Sequence, residues 1–113
     1  MQRWDLRELD VQPHQPEVLH SEDEGRTIVI QLPAGERLQE HQVHERAWLV
    51  VVDGEVEIVE DGDQSGAASG PGTLAVFDPK EPHEVRATSD ARLLLLLAPW
   101  PGEGHPSQRV EGR

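Results

Sequence analysis

Six histidines and 22 acidic residues, with no cysteine, decide what site chemistry this 113-residue chain can carry. Without thiols there is neither a disulfide nor a thiolate metal site. Any metal must sit on imidazole, carboxylate or amide oxygen. His14, His20 and His105 fall in proline-rich or polar segments and read as solvated side chains. His41, His44 and His83 border apolar runs instead. His41 shares a strand face with Val43, and His83 with Val85, which fits both imidazoles turned toward an apolar interior. His44 follows His41 by three residues, so a regular strand points the two apart and only a bulge or turn brings them together. An imidazole in such a place is either a metal ligand or a polar group satisfied by backbone or water. Spacing alone supports no Ser-His-Asp arrangement. Gly70-Pro71-Gly72 lacks the lysine and the helix start that a phosphate loop needs.

The elements that must position these residues are short and extended. Residues 1–24 are polar, broken by Pro13 and Pro16, and read as an arm with at most one short strand or turn. From Gly25 onward, apolar runs alternate with turn signals, the pattern of an all-β domain. Strands are expected at 27–32, 38–43, 47–52, 55–59, 73–77, 83–87 and 91–98. Asp53-Gly54 between two of these runs signals a hairpin. Residues 61–72, rich in Gly, Ser and Asp, read as a loop. The run of leucines at 93–97 is too short, and too closely bounded by a turn and Pro99, to be a helix. Strands at this spacing imply a sandwich or barrel, and closure into a barrel removes exposed edges.

Two strands, 47–52 and 93–97, are apolar at consecutive positions, so both of their faces need cover. The inner face meets the core. A second copy of the chain is the economical cover for the outer face, with the N-terminal arm as the other possibility, and a homodimer is expected. A net charge of −12, with Lys80 the sole lysine, sets the surface against phosphate backbones and anionic membranes. Neither nucleic acid nor membrane is an expected partner. The acidity reads as a means of solubility. No apolar run is long enough to span a bilayer, and the charged start MQRWDLRELD is unlike a signal peptide, so the expected compartment is the cytoplasm.

Gly35 to Gly54 (GERLQEHQVHERAWLVVVDG) and Gly70 to His83 (GPGTLAVFDPKEPH) together resemble the paired motifs of the cupin family. The first family motif runs glycine, His-X-His, glutamate, glycine; the second runs Pro-X-Gly, apolar strand, proline turn, histidine. The resemblance covers roughly residues 25–98 and implies an all-β, double-stranded antiparallel β-barrel of jelly-roll type. Residues 1–24 then form an arm and 99–113 an irregular tail. In that tail Pro99 and Pro101 bracket Trp100, expected to lie over a barrel opening or across a dimer partner.

The resemblance places His41 and His83 at ligand positions. Where the family has its second histidine this chain has Val43, with His44 one residue later, and Trp48 stands where the glutamate is normally found. It thus implies a degenerate site of His41, His44 and His83 for a divalent transition metal such as Zn, Ni, Fe, Mn or Cu. Loss of the carboxylate weakens that site unless Glu45 or Gln42 reaches round. The expected pocket lining is Trp48, Val50, Phe77, Val85 and Gln42. Binding of a small molecule in the barrel mouth, with or without metal, is the expected function. A metal-dependent dioxygenase or isomerase is the alternative, and a barrel filled by its own side chains, serving only stability or interaction, is a third.

Overall fold

Alternating burial along the three strands 46–53, 83–87 and 91–98 sorts their side chains into an inner and an outer set, and the inner set is almost wholly aliphatic. The computed structural model describes residues 1–40, 44–60 and 67–104, with residues 39, 40 and 60 as backbone only. Nine strands follow in order: β1 (Glu17–Glu22), β2 (Gly25–Leu32), β3 (Arg37–Glu40), β4 (Arg46–Asp53), β5 (Val56–Glu60), β6 (Ala67–Ser69), β7 (Leu74–Phe77), β8 (His83–Ala87) and β9 (Ala91–Ala98). They form two antiparallel sheets, β1-β2-β9-β4-β7 and β3-β8-β5-β6. No helix occurs among the described residues, so none is long and apolar enough to cross a membrane.

The closed barrel expected from the sequence is corrected to an open pair of sheets. Among the described residues no hydrogen-bonded ladder joins one sheet to the other. Side-chain packing holds them together instead. Leu93, Leu95 and Leu97 of β9, Ala47, Leu49 and Val51 of β4, and Phe77 of β7 pack in one core with Val56, Val85 and Ala87 of the smaller sheet. Burying each large aliphatic side chain contributes about 1.5–3 kcal/mol, ample to join sheets that share no backbone bonds.

Asp53-Gly54 is a turn but not a hairpin. β4 pairs with β7 and β9, whereas β5 pairs with β6 and β8, so the turn carries the chain from one sheet to the other. Gly54 has φ +80°, and a Cβ there would overlap the carbonyl oxygen of Asp90. Glycine is therefore required by both conformation and space. The expected loop at 61–72 contains one short strand, β6, which edges the smaller sheet. In the arm, β1 joins the larger sheet along β2.

The rest of the arm lies against the outside of the larger sheet. Arg92 donates hydrogen bonds to the carbonyls of Leu6 and Leu9, at 3.0 and 2.7 Å, and to the side chain of Gln31 at 2.9 Å. Val11 of the arm and Val29 of β2 are both buried.

Candidate functional site

One end of the sandwich gathers most of the polar groups that the sequence singled out. The C-terminal ends of β3 and β9 and the N-terminal ends of β4 and β8 meet there: the pairings Glu40↔His83 and Arg46↔Ala98 align each sheet, and the stack of Phe77 on His83 joins the two. We call this the mouth end. Period two places Glu45 on the same face as Ala47, Leu49 and Val51, all of them buried. On β8 the same logic turns His83, Val85 and Ala87 inward.

A tight turn sets up His83. Glu81 N–H donates to the Asp78 carbonyl at 3.0 Å, and Asp78 N–H donates to the Glu81 carboxylate at 2.9 Å. Pro79 holds the second position of this turn and Lys80 the third, with φ +66°, a left-handed conformation that a type II turn demands at that point. The Glu81 carbonyl then lies 3.1 Å from His83 Nδ1. A carbonyl only accepts, so Nδ1 donates to it, which in a neutral imidazole leaves the lone pair on Nε2. The imidazole stacks on Phe77, with centroids 3.9 Å apart and planes 9° from parallel, and the residue is only 7% exposed. Burial, stacking and a fixed tautomer leave this ring little freedom.

The segment after β9 crosses the mouth end. Trp100 N–H donates to the Asp23 carbonyl at 3.1 Å, its indole packs against the core cluster, and the Arg26 guanidinium sits 3.9 Å from the ring centroid. Such a cation–π contact contributes roughly 0.5–2 kcal/mol. Gly102 N–H donates to the carboxylate of Glu45 at 2.7 Å. A Cβ at Gly102 would overlap the His44 carbonyl, so only glycine lets the segment lie this close. Trp100 thus packs on the core of its own chain at this end.

The expected site residues separate. His83, Phe77 and Val85 come together on the inner surface near the mouth end. Trp48 and Val50 stand on the other face of β4, opposite Val76 and Leu74 of β7, half-buried and turned away from His83. His44 immediately precedes Glu45 at the mouth end, with its Nδ1 near Gly104. His41 and Gln42 lie outside the described residues. Glu45 is the residue whose place the sequence left open: at 2% exposure it is a carboxylate buried at the mouth end. Its signal was the unbroken alternation Glu45, Ala47, Leu49, Val51.

The donor set fits a metal only in part. Metal-ligating histidines commonly donate their second ring N–H to a carbonyl, as His83 does to Glu81. Among the described residues, however, no three of His, Asp, Glu or Cys are grouped so as to hold an ion.

These features agree with what the chain is similar to. The family model described as "Cupin domain" matches residues 28–99. No curated protein matches the chain. An RmlC-like cupin protein from Desulfovibrio desulfuricans is 29% identical, with a TM-score of 0.76 over 88% of this chain and 97% of its own. An uncharacterized conserved protein with a double-stranded β-helix domain from Klebsiella pneumoniae is 18% identical, TM-score 0.72, covering 88% and 90%. KdgF from a Halomonas species is 21% identical, TM-score 0.67, covering 80% and 85%. The last two likenesses bear on the fold alone. With the family model covering well over half of its length, this chain belongs to the cupin family.

Proposed function

We propose that the protein binds a small, mainly neutral molecule at the mouth end, with His83 Nε2 as the principal polar anchor. The observation that carries this is the preparation of His83: buried, stacked on Phe77, and held by the Glu81 carbonyl in the tautomer that leaves Nε2 able to accept. A ligand hydroxyl or amide that donates to this nitrogen gains about 0.5–1.5 kcal/mol from the bond. Phe77 and Val85 supply apolar contact. A divalent metal would take the same nitrogen, with His41 and His44 as the expected companions, and would supply Lewis acidity.

The second reading, a metal-dependent enzyme of dioxygenase or isomerase type, is favoured by Glu45, a carboxylate buried at the same end. The test uses the tag-free full chain. Ligand-observed NMR with a panel of small neutral alcohols, amides and aromatics is run before and after adding Zn, Ni, Mn or Fe(II), and metal uptake is measured in parallel. Binders that lose affinity at least tenfold in His83→Ala are expected. Absence of any binder, with and without metal, would overturn the binding reading. Stoichiometric metal uptake lost in a His41→Ala/His83→Ala double variant raises the enzyme reading to equal standing.

A further inference from the structure

We propose that residues 99–104 are a lid over the His83 site, latched shut by Glu45, so that a molecule reaches His83 Nε2 only when the Gly102–Glu45 hydrogen bond opens. The inference rests on the reading of His83 as the anchor of a bound molecule. Three points trace the path of the segment. Trp100 is tied to Asp23, in the turn between β1 and β2. Gly102 is tied to Glu45, just before β4. Gly104 comes beside Lys80, in the turn between β7 and β8, where a Cβ would stand 3.9 Å from Nζ. The strand order is β1-β2-β9-β4-β7, so the segment follows the mouth edge of the larger sheet from one side to the other.

That path lies over the interior. Arg26 stands on the face of β2 that carries Ile28, Ile30 and Leu32, opposite Leu97 of β9, so the indole of Trp100 stacked on it roofs the inner side of the sheet. On the other side, Phe77 pairs with Ala47, one same-face position inward of Glu45. Between Glu45 and Lys80 the segment therefore passes in front of Phe77 and the imidazole stacked on it. Side chains at the ends of strands meet solvent unless something crosses them. Glu45 and His83 both stand at such ends and both are buried, and this segment is what crosses Glu45.

The closed position is specific yet lightly held. Pro99 and Pro101 have no amide hydrogen, so the segment cannot pair along its length as a strand. β9 fixes one end, and beyond it the hold comes from separate contacts, among them the two hydrogen bonds and the stack on Arg26. A segment tied at separate points opens at a fraction of the free energy that unfolds the domain, and such segments gate access to buried sites. Gly102 lies so near the His44 carbonyl that a single methyl group would lift the lid.

Reaction of the histidines with diethyl pyrocarbonate, followed residue by residue by mass spectrometry on the full chain in EDTA, tests the lid without any ligand. His14, whose side chain is 72% exposed, is the internal standard. His83 should react about tenfold more slowly than His14 in wild type, and Gly102→Ala or Glu45→Ala should speed it about fivefold. Glu45→Gln, which keeps an oxygen to accept from Gly102, should stay within about twofold of wild type. Val56→Ala, which opens a cavity at the far end of the smaller sheet, should leave the His83 rate unchanged. Circular dichroism and a cooperative melt check that each variant folds; if Gly102→Ala does not, Trp100→Ala replaces it with the same expectation. A His83 as reactive as His14 in wild type overturns the proposal. So does a rate that the lid variants leave unchanged, or one that Val56→Ala or Glu45→Gln raises as much. A lid that opens as expected on a chain that binds no small molecule overturns the binding reading alone.

Discussion

The two sheets present opposite chemistry to the outside. On the smaller sheet the outward positions hold Arg37, Glu57, Glu84 and Arg86, beside the buried Val59 and the exposed Ala68. Glu84 is paired with Arg86 and lies 3.7 Å from Arg37. On the larger sheet the corresponding surface of β9, β4 and β7 carries Leu94, Leu96, Val50, Leu74, Val76 and Trp48, with Arg46 and Arg92 toward its ends. The inner faces are alike, so solubility alone does not explain the difference. Ion pairs at a half-exposed surface contribute little and serve water as well as each other. An apolar surface of the same extent acquires value only when something covers it. One face is finished by ion pairs and the other leaves apolar side chains in water.

The sharpest way to break this comparison is to cut neighbouring leucines on opposite faces of β9. Leu93→Ala, inside, should cost about 2–5 kcal/mol at any protein concentration, measured by urea unfolding. Leu94→Ala, outside and half-buried, should cost distinctly less. Equal costs at all concentrations would abolish the distinction between the faces.

Salt should act on the ion-paired surface and not on the apolar one. Raising ionic strength from about 0.05 to 0.5 M should slightly weaken the Glu84 ion pairs, so the stability lost in Glu84→Gln shrinks while that lost in Leu94→Ala holds, both read by urea unfolding. Equal salt dependence of the two losses would remove the contrast.

The smallest effect concerns Glu84. A hydrogen bond from Arg86 holds its carboxyl below the ordinary carboxylate value, outweighing the partial burial that acts the other way. The folded chain therefore binds this proton less readily than the unfolded chain does. The resulting stability is present in full above the unfolded carboxylate's pKa and fades as pH falls through the lowered folded value. Glu84→Gln should be less stable than wild type near neutrality and converge with it in acid. A gap between the two melting curves that is unchanged at low pH would show that Glu84 acts through packing.

Much of this was legible in the sequence, for local reasons. The strands 83–87 and 91–98 coincide with β8 and β9 because turn residues bound them on both sides. The apolar runs 47–52 and 93–97 are the strands β4 and β9, buried on one face and half-buried on the other. What escaped was what depends on register and connection. Asp53-Gly54 has the turn chemistry of a hairpin, yet which sheet the next strand enters is fixed by packing far along the chain. Counting back from Gly54 drew attention to Trp48, whereas counting by twos from Leu49 places Trp48 outward and Glu45 inward. β6 was hidden because Ala67–Ser69 has no apolar signal of its own and is a strand only through pairing with β5.

The position of β9 carries a further consequence, for the order in which the molecule can be made. This last strand lies between β2 and β4, pairing along its whole length with both. Until it is in place the larger sheet is two separate pieces, with the open flanks of β2 and β4 facing each other across a missing strand. Such long-range closure folds slowly and leaves sticky edges exposed while it waits. A growing chain halted anywhere before residue 91 is therefore a fragment poised to recruit stray strands, and folding becomes all-or-none only when the final leucines emerge.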